Sequence, residues 1–240
     1  MVVLRGTAFF IEGGKIMEVF TEYYYVWIVF ALCCLFLISF FGKRIVRVKN
    51  SRKQQEAKFE EEKNLFSHLT SSIFDETDTN DLTKAVIFHI QAKEDRLFNN
   101  DDYDGNIIPY LTHEELMIYT LYQVENSLQQ RNGSIHSFFI DEPYCLCRPY
   151  YKEAYELMNC YEIAHLLEEA EKLAIMIEND QEDDIDENSD YATYNFSDFT
   201  NELKALLRSS GLFNKAGEYI RAHKDSFIEK GDTYEEGTCK

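Results

Sequence analysis

The sequence predicts an all-α protein with three parts: a single N-terminal transmembrane helix, a helical stalk and an acidic helical bundle. Three observations lead there. The 240 residues include only 10 Gly and 3 Pro, too few for a barrel or sandwich that spends turn residues at every hairpin. Apolar residues recur at three- and four-residue steps through the C-terminal half, the period of a helix face. One run of 19 residues, from Tyr23 to Phe41, carries no charge. At 45% apolar and 15% aromatic residues, the chain is also too hydrophobic to be disordered throughout.

In chain order, residues 1–22 form a short extracytoplasmic N-terminus, in which Met17 is an alternative start. Residues 23–42 follow as the membrane span. A helix of 19 residues rises about 28 Å at roughly 1.5 Å per residue, close to a hydrocarbon core of about 30 Å. Tyr23, Tyr24, Tyr25 and Trp27 crowd one end, where amphipathic rings settle at the interface. Lys43, Arg44, Arg47, Lys49, Arg52, Lys53 and Lys58 follow the span against the single acid Glu56, whereas Arg5 and Lys15 precede it. The positive-inside rule then predicts an N-terminus outside and a cytoplasmic C-terminal part. A cleaved signal peptide would place its basic residues first and small residues after, and here the order is reversed. Cys33 and Cys34 lie in the span, and Cys145, Cys147, Cys160 and Cys239 belong to a reducing compartment, so free thiols are expected.

Residues 43–109 read as a basic-to-acidic helical stalk and linker. Lys43 to Lys63 lacks Gly and Pro and continues the helix, and its basic part can lie against anionic lipid. Asp81 is the expected N-cap of a helix presenting Leu82, Ala85 or Val86, Phe88 or His89, and Ile90. The main domain, 110–230, opens at Thr112, with Glu115 in capping-box spacing and a stripe of Leu116, Met117, Leu121, Val124 and Leu128. Arg131-Asn132-Gly133 is read as a left-handed stop. A short aromatic segment, 135–140, and a Pro-bounded loop, 143–149, come next. One long helix over 150–179 is expected to align Ala154, Leu157, Tyr161, Ala164, Leu167, Ala170, Ala174 and Ile177 on one face. Two shorter amphipathic helices, 199–208 and 213–227, flank Gly211 as a C-cap, and 231–240 is a tail.

The net charge of -19 is unevenly spread. Residues 1–58 hold 9 basic and 4 acidic side chains, whereas residues 59–240 hold 15 basic and 39 acidic ones. Such a domain has no direct nucleic-acid role, because nucleic-acid binders neutralise phosphates with Lys and Arg. Between Lys172 and Lys204 no basic residue occurs. Glu178, Asp180, Glu182, Asp183, Asp184, Asp186, Glu187 and Asp190 are the candidate partner-binding residues, since clustered carboxylates accelerate encounter with a basic protein. The alternative is a solvated loop that keeps the domain soluble.

Other motifs fall short of a site. Asn100 to Ile107 resembles the start of a calcium loop, but its twelfth place is Leu111, where a bidentate Glu is required. Cys145, Cys147 and Cys160 with His136 or His165 lack the two- to four-residue ligand spacing of zinc sites. His113-Glu114-Glu115 lacks the second His of a zincin helix. The expectation is a non-enzymatic protein with no catalytic, metal or cofactor residues. Its alternatives are an enzyme with a cryptic Cys/His site around Cys145–Cys160, or a structural or immunity-type membrane protein.

The helix bearing Tyr119, Tyr122, Val124 and Leu128, the stretch Asn132-Gly133-Ser134-Ile135-His136-Ser137-Phe138-Phe139, the helix with Ala154, Leu157, Ala164, Leu166, Leu167 and Ala170, and the ending from Tyr219 to Phe227 resemble a bacterial DNA-mimic protein family, catalogued mainly as a helical domain of unknown function. The resemblance covers about residues 110–228. Asn132, Gly133, Phe138 and Phe139 match its motif, while Ser134, Ile135 and Ser137 depart from it. What it implies is an acidic helical module, with a homodimer among its expected assemblies, whose carboxylates imitate DNA phosphates and occupy a basic, DNA-binding protein. A membrane anchor departs from that family and would restrict such a partner to the membrane surface.

Overall fold

The computed structural model describes residues 24–99, 103–130, 133–179 and 190–229. Among them the secondary structure is helical throughout, and the chain divides into two units, one ending at Glu60 and one beginning at Glu61.

The first unit consists of most of α1, a continuous helix over Tyr24–Phe66. Its described large apolar side chains, Val26 and those within Ile28–Leu37, are exposed, and residues 51–61 are exposed as well. Among the described residues no helix is long and apolar enough to cross a membrane. The expected span over 23–42 is not supported at that level. Its described apolar side chains occupy twelve helical positions, about 18 Å at roughly 1.5 Å per residue against a core of about 30 Å. Tyr23 and the side chains of 38–47 lie outside the described residues.

In the second unit, α2 (Ser71–Glu76) starts at Thr70, whose hydroxyl accepts from the Ile73 amide. Asp78 occupies the N-cap position of helix α3 (Thr79–Leu97) without a side-chain capping bond, so Asp81 sits inside the first turn rather than at the cap. A carboxylate there still meets the positive end of the helix dipole. The expected face is buried: Leu82, Ala85, Val86, Phe88, His89 and Ile90 all lie in the core.

Helix α4 (His113–Gln129) is the centre of the unit. The expected capping box forms: the Thr112 hydroxyl accepts from the Glu115 amide at 3.2 Å, and Glu115 Oε2 accepts from the Thr112 amide at 2.9 Å. The stripe is buried, but so are Ile118, Tyr119, Thr120, Gln123 and Ser127 on the other faces. Thr120 and Ser127 donate their hydroxyls to the Leu116 and Val124 carbonyls of their own helix, at 2.8 and 2.7 Å. Glu115, fully buried, is paired with Lys93 of α3. Each fully buried large apolar side chain contributes about 1.5–3 kcal/mol, and α3 and α4 each supply seven buried apolar residues to the core. Helix α3 covers part of α4 and packs most extensively on α9. Residues 61–109, expected to be stalk and linker, therefore supply α2 and α3 to the compact unit, which starts at Glu61 rather than at 110.

After α4 the chain turns at Gly133. Its φ is not left-handed. Glycine is required instead because a Cβ there would stand 2.4 Å from the Leu128 carbonyl oxygen. Asn132 lies outside the described residues. Helix α5 (Ile135–Ile140) and a 3₁₀ segment (Tyr144–Tyr150) replace the expected aromatic stretch and loop.

The single helix expected over 150–179 is two, α6 (Tyr151–Leu157) and α7 (Tyr161–Glu178). Asn159 adopts φ 52° between them. The Cys160 amide bonds to the Tyr155 carbonyl at 2.8 Å and the Asn159 amide to the Glu156 carbonyl at 2.9 Å, a Schellman closure with Asn in the left-handed place. The break resets the helical phase. Ala154, Ala164, Leu167, Ala170 and Ala174 are buried as expected, while Leu157 and Tyr161 turn outward, 41% and 61% exposed. Helices α8 (Phe196–Ser209) and α9 (Leu212–Ala222) follow, joined through Gly211 at φ 64°. A 3₁₀ turn at Lys224–Ser226 ends the second of these earlier than the expected 227. Helix α9 approaches α3 so closely that a Cβ on Gly217 would lie 2.1 Å from the Thr79 carbonyl oxygen.

Candidate partner-binding surface

The acidic side chains of interest stand on α6, α7, the turn at 190–194 and α8. Three and four residue steps along α7 bury Ala164, Leu167, Ala170 and Ala174 and turn Glu162, Glu168, Glu169 and Glu171 outward or to the edge. Asn195 caps α8 through the amides of Ser197 and Asp198 at 2.9 and 3.1 Å, with Asp198 completing the capping box. That cap fixes the preceding turn, where Tyr191 packs on Tyr194, Phe199 and His165 at ring distances of 5.0, 5.5 and 5.9 Å. Burial raises the Tyr191 phenol above its ordinary value, and Tyr194 together with the carboxylates of Glu169, Glu202 and Asp190 pushes in the same direction. Those three acids thus surround one aromatic cluster.

Of the predicted partner-binding residues, Asp190 is exposed beside this cluster. Glu178 differs from the expectation of an open carboxylate: Arg148 Nη1 donates to it at 3.3 Å. The same guanidinium gives its Nε to Glu171 at 2.6 Å, and the Tyr151 hydroxyl donates to the other Glu171 oxygen at 2.7 Å. Asp180, Glu182, Asp183, Asp184, Asp186 and Glu187 lie outside the described residues.

Most basic side chains are engaged within the unit, with exposed Arg208 and half-buried Lys204 on α8 outside the ion pairs found among the described residues. Among the described residues from Glu61 onward, Lys63, Lys84, Lys93, Arg96, Arg148, Lys152, Lys172 and Lys224 all sit in ion pairs with carboxylates. Arg221 donates to the Phe74 and Thr77 carbonyls, and Lys215 to that of Asn159. Glu162, Asp190, Glu202 and Glu218 are exposed and have no ion-pair partner among the described residues. The acidic run between Lys172 and Lys204 includes Asp198 and Glu202 of α8, but the acids of α7 before it were not singled out from the sequence. Their signal was present as Glu at outward helical positions.

The described motif residues, Gly133, Phe138 and Phe139, are packing residues. Phe138 and Phe139 are buried and meet each other and Tyr151 edge to face at 5.4, 6.1 and 6.2 Å. Ser134, a departure from the motif, caps α5 by accepting from the His136 amide. The conceivable Cys/His chemistry is not assembled. His136 stacks on Phe196 at 4.2 Å and His165 faces Tyr191. Burial pushes the Cys147 thiol up to about 12, opposite to an activated nucleophile. Described cysteines are free. Asp104 and Asn106 accept from the backbone amides of Asn106 and Ile108 at 2.9 and 3.0 Å, so the calcium-like segment is turn structure where it is described. Among the described residues no group of three His, Cys, Asp or Glu is placed to hold a metal ion.

Fold and surface together define an all-α protein whose bundle pairs most of its described cations internally and presents carboxylates. Residues 110–223 match the family model described as DMP19-like protein, a family of DNA-mimic helical proteins. The family is generally non-enzymatic. No curated protein and no solved structure matches the chain.

Proposed function

We propose that this is a non-enzymatic, membrane-anchored protein whose acidic helical domain binds a basic, DNA-binding protein. The observation that carries the reading is the pairing of most described Lys and Arg side chains with carboxylates of the same unit, which, with 39 acids against 15 bases from residue 59 onward, leaves an acid excess as the outward charge. Such a surface attracts Lys- and Arg-rich partners at long range and is screened by salt. The interaction surface runs from Glu178 through Asp180, Glu182, Asp183, Asp184, Asp186, Glu187 and Asp190 to Glu202. Of the family-motif residues Asn132, Gly133, Phe138 and Phe139, the two phenylalanines belong to the core. A homodimer is part of the same reading and comes from the family resemblance.

The anchor is residues 23–42, with the N-terminus outside and the domain cytoplasmic. Its support is the uncharged run in the sequence and the exposure of Val26, Ile28, Val29, Leu32, Leu35 and Leu37, apolar side chains that would be costly in water.

Crosslinked affinity purification of the full chain in low and high salt tests the function. The expected catch is a Lys- and Arg-rich DNA-binding protein, lost at high salt and lost when the acids from Asp180 to Asp190 are replaced by amides. A partner retained under both conditions contradicts the reading.

A further inference from the structure

A second acidic surface lies outside the family-matched segment, where the last turn of α1, helix α2 and the first turns of α3 meet. These elements enclose a groove of about 370 Å³. Its floor is apolar: Phe66 is buried, Ile73 half-buried, and Leu65 stays 52% exposed at the edge. Its rim carries Glu62, Glu76, Asp78 and Asp81 against one cation, Lys84. That cation is bound to Glu62 and leans over the Phe88 ring at 5.7 Å. Glu76, Asp78 and Asp81 are all exposed and have no ion-pair partner among the described residues.

The chemistry selects the occupant. The rim carboxylates are not gathered as ligands for a single metal ion, so they suit several cations spaced along a chain. An exposed Leu beside a half-buried Ile suits an apolar side chain between those cations. Nucleic acid is repelled by the same carboxylates. We infer that this groove docks a basic amphipathic segment of another protein, with an apolar residue on Leu65 and Ile73 and Lys or Arg against Glu76, Asp78 and Asp81. It is separate from the surface around Tyr191, and the two stand or fall independently.

The probe is a synthetic 14-residue amphipathic Lys/Leu peptide carrying one photo-crosslinking residue, added to the full chain in nanodiscs of zwitterionic lipid. A Lys/Gly peptide of equal charge is the comparison. Crosslinks are expected on Leu65 and Ile73, with at least tenfold weaker binding for the Lys/Gly peptide. Glu76→Gln with Asp81→Asn is expected to weaken the Lys/Leu peptide at least tenfold, and Leu65→Gln to do so without changing charge. Glu169→Gln with Glu202→Gln is expected to leave it within twofold. Circular dichroism of each variant should match that of the parent chain, and Leu65→Gln alone, exposed and uncharged, keeps the test open where the acidic pair unfolds. Equal binding of both peptides, crosslinks elsewhere, or an unchanged Leu65→Gln variant would overturn the inference. So would self-association of the full chain, measured by sedimentation, that the groove variants abolish, since it would make a second copy the occupant.

Discussion

Helices α1 and α4 both carry apolar side chains on every face, yet they meet opposite surroundings. The described large apolar side chains between Val26 and Leu37 are 49% to 70% exposed, whereas Leu116, Met117, Ile118, Leu121 and Val124 are at most 8% exposed. Apolarity does not separate the two. Polar content does. Helix α4 buries Glu115, Thr120 and Ser127, and each has a partner: a cap and Lys93 for the carboxylate, carbonyls of its own helix for the hydroxyls. The stretch Val26–Leu37 has no charged or hydroxyl side chain. A helix enclosed by protein can satisfy an occasional buried polar group, while hydrocarbon supplies no partner for one.

The largest expected effect breaks that contrast on the α1 side. Leu32→Arg with Leu35→Arg costs roughly 5–7 kcal/mol in a bilayer, at roughly 2.5–3.5 kcal/mol per central Arg. The full chain is expected to leave the membrane pellet on alkaline extraction while the helical signal of the bundle persists. Unaltered pelleting would mean that another protein, not lipid, covers these side chains.

On the α4 side, Met117→Ala is expected to destabilise the bundle by about 2–5 kcal/mol, the range for emptying a fully buried site. Leu32→Ala should change denaturant unfolding of the bundle by less than about 0.5 kcal/mol, as an exposed position does. Comparable losses would place both helices in one core.

Gly133→Ala sharpens the picture of how α4 ends. Its methyl group would press on the Leu128 carbonyl oxygen, and the expected loss is about 1–3 kcal/mol, as for overpacking. A stabilised variant would show that the turn has room and that glycine is there for another reason.

The smallest effect is titration of His89, packed in α3 beside α4's neighbour Lys93. Burial first, and the Lys93 charge second, hold its imidazole below the ordinary value of 6.5. The folded state therefore binds this proton less readily than the unfolded chain. The stability contributed by neutral His89 is complete above about 6.5 and is lost as pH falls through the lowered folded value. Denaturant midpoints should decline from pH 7.5 to pH 5, and the decline should flatten in His89→Gln. An equally steep decline in the variant would assign it to other groups.

Much of the helical architecture was legible because its signals are local. Thr112 and Glu115 are three residues apart and form their capping box as spaced. Gly211 separates two amphipathic helices and takes the left-handed conformation expected of it. The break at Asn159 was less legible, since Asn is an uncommon left-handed residue inside an otherwise continuous helical pattern. One missed residue shifted the predicted outward or inward direction of Leu157 and Tyr161. Of the candidate surface, the acidic run was visible as composition, but the pairing of Glu178 with Arg148 was not, because 30 residues separate the partners.

Local spacing and charge were enough to specify an all-α chain, its principal caps and an acidic C-terminal part, because caps, turns and helix faces depend on residues within four positions of one another. The burial of α4 over most of its circumference, the inclusion of α2 and α3 in the bundle, and the choice of which carboxylates remain unpaired arose from packing. Each depends on contacts between residues far apart in the chain, which no local period records.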